Sequence, residues 1–165
     1  ISLRNLSLFY VGEGKNSDEN SIIDEVSKIF NNNNWSAAQF TGSTKKDDRR
    51  DFLESFKSLR INALVAMKVL DEGIDVPACR TAYILASTKN PRQYIQRRGR
   101  VLRKYEGKHL ANIYDFVILP CVGYKTIYAK SLKRSELERV RDFTHLASNK
   151  MDIEHMINSL EMSNE

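Results

Sequence analysis

Apolar runs and helical periods alternate along this chain. Leu6–Val11 is a near-continuous apolar run closed by Gly12, as expected of a strand buried on both faces. Ile22, Ile23, Val26, Ile29 and Phe30 then recur at helical spacing until the polar tract Asn31–Asn34 ends the period. Ala37–Phe40 predicts a short second strand. Thr44, with Asp47 three residues later, has the pattern of a capped helix start, and Phe52, Leu53, Phe56 and Leu59 share one face beyond it. Ala63–Met67, Thr81–Ala86 and Ala111–Leu119 predict three more buried strands, with a helix at Asn90–Arg103 before the last. This alternation implies βαβ units, hence an α/β fold with a parallel β-sheet and helices on both of its faces. After Pro120 the strand signals stop. Tyr124, Ile127, Tyr128, Leu132, Val140, Phe143 and Ala147 predict one long amphipathic helix, and Ile153, Met156, Ile157 and Leu160 a shorter one. The expected organisation is an α/β domain over 1–120 and a C-terminal helical extension over 121–165, packed on the domain or leading out of it, with Met162–Glu165 frayed.

Bulk composition adds bounds rather than detail. A chain of 165 residues, 41% of them hydrophobic, can bury its own core without disulfides or metals. No apolar run nears the roughly 18 residues of a membrane span, so no membrane partner is expected. Two cysteines, Cys79 and Cys121, make no disulfide framework, and a reducing, cytoplasmic setting is the expectation. His109, His145 and His155 lie too far apart to suggest a metal site. The first residue is Ile1, which suggests a piece of a longer polypeptide.

Charge changes the picture more. Residues 1–88 hold 11 Lys+Arg against 12 Asp+Glu, and residues 109–165 hold 7 against 8. Residues 89–108 hold 8 against 1, so the net +5 of the chain resides in one segment. Its centre, QRRGRVLRK at residues 96–104, uses Arg at 97, 98, 100 and 103. Lysine would serve solubility as well, whereas the planar guanidinium fork suits bidentate contact with phosphate oxygens. Asn90 is a good helix cap, Pro91 fits the first helical position, and Gln93 sits three after the cap. In that register Gln96, Arg100 and Arg103 fall on one face, while Ile95 and Leu102 share an apolar stripe. Gly99 inside such a helix costs about 1 kcal/mol relative to Ala, and close approach of another backbone is the expected compensation.

Ligands of open α/β sheets bind at the carboxyl ends of the strands. The loop there carrying Gly12–Lys15 fails as a phosphate cradle, because Phe9 stands five before Gly14 and Asn16 follows Lys15. Asp71 and Glu72 are adjacent and would diverge rather than converge on one Mg²⁺. Nothing here would hold and hydrolyse a nucleoside triphosphate alone.

Ala63–Pro77 (ALVAMKVLDEGIDVP) followed by Gln93–Arg103 (QYIQRRGRVLR) resembles motifs V and VI of superfamily 2 helicases. The resemblance is nearer the restriction-type and excision-repair-type branches than the DEAD-box branch. Phe40–Phe56 (FTGSTKKDDRRDFLESF) resembles the segment that precedes motif V in the same domain. The match covers roughly residues 6–119 and corresponds to the second of two RecA-like domains in such motors. It implies that Arg100 and Arg103 are arginine fingers reaching the γ-phosphate of ATP, with Mg²⁺, held by an N-terminal RecA-like domain of the same polypeptide. It implies that Gln96 touches the nucleotide or that domain's acidic motif, and that Gly73 and Asp75 supply motif V's Gly-x-Asp near the ribose. The fragment alone is expected to bind no cofactor tightly. The family's strand lies across the domain tops and is held by its backbone, implying contacts from Gly12, from Gly42, Ser43 and Thr44 at a helix start, and from Lys68. DNA is expected in preference to RNA, with a nuclease or accessory domain as a further partner. One departure is Met67, where the family often has Thr and a hydroxyl–phosphate contact.

Two other functions fit the same residues. One is a non-catalytic nucleic-acid-binding module that keeps the RecA-like fold; the other is the motor part of a restriction complex. The cations Lys125, Lys130, Lys133, Arg134, Arg139 and Arg141 lie outside the resemblance, and a solvated basic face over an apolar stripe is their expected arrangement.

Overall fold

Five parallel strands form one sheet in the order β2–β3–β1–β4–β5: β1 (Ser7–Tyr10), β2 (Ala37–Phe40), β3 (Ala63–Ala66), β4 (Thr81–Ile84) and β5 (Asn112–Asp115). The computed structural model describes residues 6–15, 19, 21–67, 76, 78–85, 99, 103–121, 123 and 125–162. These fall into two compact units, one of residues 6–85 and 99–116, the other of residues 117–162. Among the described residues no helix is long and apolar enough to cross a membrane.

In the first unit every residue of β1 and β3 is buried, which is why both read as nearly continuous apolar runs, interrupted only by the buried Ser7, rather than alternating ones. β5 lies at the edge, and its residues alternate between exposed and half-buried. The apolar run beyond Asp115 does not prolong it. Its last ladder bond, Phe116 N–H to the Ile84 carbonyl at 3.1 Å, coincides with the end of β4, so the strand expected over Ala111–Leu119 is only four residues long.

Helix α1 (Ile22–Asn32) connects β1 to β2, and α2 (Lys46–Lys57) connects β2 to β3. Because the two connections run in opposite directions along the sheet, right-handed crossover puts the helices on opposite faces. α1 places Ile23 on Val11 and Val65, with Ile22, Val26, Phe30 and Met67 packed around them. Met67 is thereby accounted for as a packing residue. Phe30 also meets Phe9 with ring centroids 4.5 Å apart, and Gln39 Nε2 donates to Asp24 Oδ1 at 2.7 Å, tying α1 to β2. The asparagine tract stops the helix as expected: Asn33 is the C-cap, and Asn34 takes φ +58°, a conformation that Asn tolerates.

The start of α2 differs from expectation. Its N-cap is Lys45, which makes no side-chain capping bond, and Thr44 belongs to the turn before it. The reason is a competing local bond: Thr44 Oγ1 accepts from the Thr41 N–H at 2.9 Å.

Cys79 is buried and donates through Sγ to the Thr81 carbonyl at 3.2 Å. Burial pushes its pKa from 9.0 to about 12. Above pH 9 the unfolded chain releases this proton and the folded one keeps it, so stability contributed by Cys79 falls as pH rises from about 9 toward 12. Cys121 is exposed. A chromogenic disulfide reagent at neutral pH is therefore expected to titrate Cys121 rapidly in the native chain and Cys79 only after unfolding; two fast native thiols would contradict the burial.

The second unit contains α3 (Ile127–Thr144) and α4 (Lys150–Met162). Thr126 caps α3, its Oγ1 accepting from the Ala129 N–H at 3.1 Å. Leu137, Phe143 and Ile157 are its buried apolar residues. The expected solvated basic face holds for Lys125, Lys130 and Arg134, which are exposed, and is corrected for the others. Arg139 is buried and pairs with Glu136 at 2.9 Å, and Arg141 grips both carboxylate oxygens of Glu161 at 2.8 Å. Lys133 Nζ donates to the Leu160 carbonyl, and Arg134 pairs with Glu138 at 2.8 Å. Ile127 and Tyr128, placed by periodicity on the apolar stripe, are instead 84% and 88% exposed.

Candidate nucleic-acid interface

The strand register brings the carboxyl ends of all five strands to one level. Phe40, Ala66, Tyr10, Ile84 and Asp115 are successive partners across the sheet. Just past this row the Val11, Met67, Leu85 and Phe116 N–H groups donate to the Ala66, Phe40, Tyr10 and Ile84 carbonyls at 2.9–3.3 Å. Two of the expected backbone grips therefore lie on one rim: Gly12, two residues past β1, and Gly42–Thr44, beginning two residues past β2. β1 and β2 are two strand spacings apart, about 10 Å. Lys68, the third grip, lies outside the described residues.

The loop after β1 is tied to the helix that follows it. The Ile22 N–H donates to the Gly14 carbonyl at 3.2 Å, and Gly14 takes φ +141°, which a side chain would strain.

The turn after β2 is more elaborate. The Thr44 N–H donates to the Thr41 carbonyl at 3.1 Å, closing Thr41–Thr44. Three hydroxyls converge on it: Thr41 Oγ1 lies 2.8 Å from Ser43 Oγ and 3.3 Å from Thr44 Oγ1. From α2, Arg49 reaches back, Nε donating to the Thr44 carbonyl at 2.7 Å and Nη2 to the carbonyls of Gly42 at 2.9 Å and Thr41 at 3.4 Å. The turn's carbonyl dipoles are thus occupied by a cation, and its hydroxyl protons are able to rotate toward an incoming phosphate oxygen. Around an ideal Cβ on Gly42 no atom lies within 4 Å, so the approach to the turn is open.

The expectation that this segment is itself a helix start is corrected by the cap at Lys45. The first turn of α2 carries Asp47 and Asp48, which occupy the favourable end of the helix dipole. Beside these carboxylates stand the hydroxyl turn, Arg49 and the exposed Lys45 and Lys46. Arg49 and Thr41 were missed in the sequence. The available signal was a cation one turn inside a helix preceded by three hydroxyl residues within four positions.

Of the arginine segment, Arg103 is described and exposed on the stretch leading to β5, and its carbonyl accepts from Lys108 Nζ at 3.1 Å. Gly99 is helical and exposed, and no described atom lies within 4 Å of where its Cβ would stand, so the close backbone approach expected there is absent among the described residues. Arg100, Gln96, Gly73 and Asp75 lie outside the described residues. Val76, next to Asp75, is buried. Among the described residues no group of three or more His, Cys, Asp or Glu side chains could hold a metal ion. Around the turn after β2 the groups available to a phosphate are hydroxyls and cations.

Residues 13–105, more than half of the chain, match the family model described as helicase conserved C-terminal domain. A DNA 3'-5' translocase, XPB2 of Sulfurisphaera tokodaii, is 39% identical over 70 residues, 42% of this chain and 16% of that protein. Dicer-like protein 2 of Phaeosphaeria nodorum is 33% identical over 101 residues, 61% of this chain and 6% of that protein. The chain spans only a small part of these relatives' length. Among solved structures, the C-terminal domain of the DEAD-box protein Dbp5 superposes with a TM-score of 0.60 at 14% identity, covering 90% of this chain and 73% of that one. The C-terminal part of the Fun30 ATPase domain gives 0.58 at 16% identity, over 86% of this chain and 48% of that one. With its parallel five-stranded sheet and this match, the chain belongs to the helicase conserved C-terminal domain family, the second RecA-like domain of superfamily 2 helicases.

Proposed function

We propose that this chain is the second motor domain of an ATP-dependent nucleic-acid helicase or translocase. The observation that carries this is the extent of the family match: residues 13–105 contain every residue assigned a role below except Gly12. Arg100 and Arg103 are its arginine fingers, directed at a nucleotide held by an N-terminal RecA-like domain of the same polypeptide. Gln96, Gly73 and Asp75 complete the nucleotide face. Bound ATP with Mg²⁺ would supply the phosphoryl group whose hydrolysis drives the cycle. The chain's part is charge: a planar guanidinium offers paired donors to the phosphoryl oxygens as negative charge develops on them. Gly12, Gly42, Ser43, Thr44 and Lys68 hold the nucleic-acid backbone, with Thr41 and Arg49 shaping the turn. Contacts to phosphate carry no sequence information, which suits a domain that moves along its track. The relationship to a protein named as a DNA translocase favours DNA as that track.

Gly42→Val tests the grip. The site is open, so folding stability is expected to change by less than about 0.5 kcal/mol. A branched side chain there displaces a phosphate, and affinity for a labelled oligonucleotide falls roughly fivefold. Unchanged affinity would remove the turn from the interface.

A further inference from the structure

We propose that the exposed start of α3, with Lys125 just before its cap, is a second nucleic-acid contact, a stacking and phosphate-binding site built from Tyr128, Lys125 and Lys130. It rests on the reading that the chain binds nucleic acid, but uses residues outside the family match. From Phe116 to Ser135 the sequence contains no Asp or Glu and four cations, Lys125, Lys130, Lys133 and Arg134. The fold then sorts those cations. Lys133 is committed to the Leu160 carbonyl, whereas Lys125 and Lys130 are exposed and make no ion pair among the described residues. Arg134 joins them at the surface, and its exposed pairing with Glu138 contributes little and exchanges readily for a phosphate.

Between these cations stand Ile127 and Tyr128, 84% and 88% exposed at positions where the helical period had predicted burial. An exposed ring flanked by lysines is the arrangement that binds single-stranded nucleic acid: the base stacks on the ring while the lysines meet the flanking phosphates. Charge complementarity selects this partner, since the first carboxylates along the chain are Glu136, which is buried with Arg139, and Glu138, at the far end of the face. The apolar area, one isoleucine and one ring, is too narrow for a lipid surface, where a helix buries a continuous apolar stripe.

The test is fluorescence anisotropy of labelled oligothymidylate with the 165-residue chain across a salt series. Tyr128→Ala is expected to weaken binding about tenfold with the salt slope unchanged, and Tyr128→Phe to restore it. The double change Lys125→Gln with Lys130→Gln should shrink the slope of log K against log salt by about 0.7 per lysine. All three side chains are exposed, so the fold is not at stake. Wild-type affinity in Tyr128→Ala, or failure of Tyr128→Phe to restore it, overturns this contact and leaves the proposed motor function standing. A wild-type chain that binds no oligonucleotide overturns both. Binding to phosphatidylserine vesicles in place of the oligonucleotide overturns the contact and identifies the patch as lipid-binding.

Discussion

Arg100→Ala and Arg103→Ala, made in a polypeptide in which this chain follows the proposed nucleotide-binding domain, are each expected to reduce nucleic-acid-stimulated ATP turnover by about a thousandfold or more. ATP binding itself is expected to change little, because the fingers meet charge that grows during phosphoryl transfer rather than charge already neutralised in the ground state. Arg103→Lys should not restore turnover, since an ammonium group cannot offer the paired, planar donors of a guanidinium. Lys104, exposed and next in the chain, provides the control: Lys104→Ala is expected to turn over normally. A steady-state ATPase assay with and without oligonucleotide, combined with an ATP-binding titration, separates these effects. Near-normal turnover in both arginine variants would remove the finger assignment.

Phe40→Ala has the largest expected effect on the fold. The side chain is 0% exposed at the last position of β2, and its carbonyl accepts from the Met67 N–H, pinning β2 to the chain leaving β3. Truncation there is expected to cost about 3–5 kcal/mol, a large share of the roughly 5–15 kcal/mol that holds a domain together. Urea denaturation reads this directly, with Phe40→Leu costing less than about 1.5 kcal/mol. The next residue, Thr41, begins the hydroxyl turn, so oligonucleotide affinity should fall in Phe40→Ala even at urea concentrations where the chain remains folded. A cost under about 1 kcal/mol would mean that the core does not close at this end of the sheet.

Much of the fold could be read from residue pattern because the central strands carry their burial in sequence. β1 and β3 are covered on both faces, and a doubly covered strand is apolar almost throughout. The stop of α1 was readable for a similar reason, since the asparagine tract both ends the apolar period and supports the turn geometry. The errors share a cause, competition from a partner that periodicity does not see. Thr44 looked like a cap, but its hydroxyl accepts instead from the Thr41 N–H. The run beyond Asp115 looked like strand, but its described pairing with β4 ends at Ile84 and Asp115. Arg141 and Lys133 looked like solvated cations, but Glu161, Glu154 and the Leu160 carbonyl approach from α4, some twenty residues away in sequence.

The site was half readable. The Gly12 and Gly42–Thr44 loops fall on one rim, where the parallel order of the strands requires them to be. What shapes the second loop, the fork of Arg49 on three carbonyls, depends on backbone positions fixed only once α2 is formed. Tyr128 shows the reverse case, a residue with core periodicity left outside by the helix's actual orientation.

The central claim, that this domain works as part of a motor rather than as a passive binding module, is tested most directly by displacement of streptavidin from an end-biotinylated single strand by the intact polypeptide. Displacement is expected to require ATP and to disappear in the Arg100→Ala/Arg103→Ala double variant while oligonucleotide binding persists. Tight, steeply salt-dependent binding with no ATP-dependent displacement by the unaltered protein would contradict it.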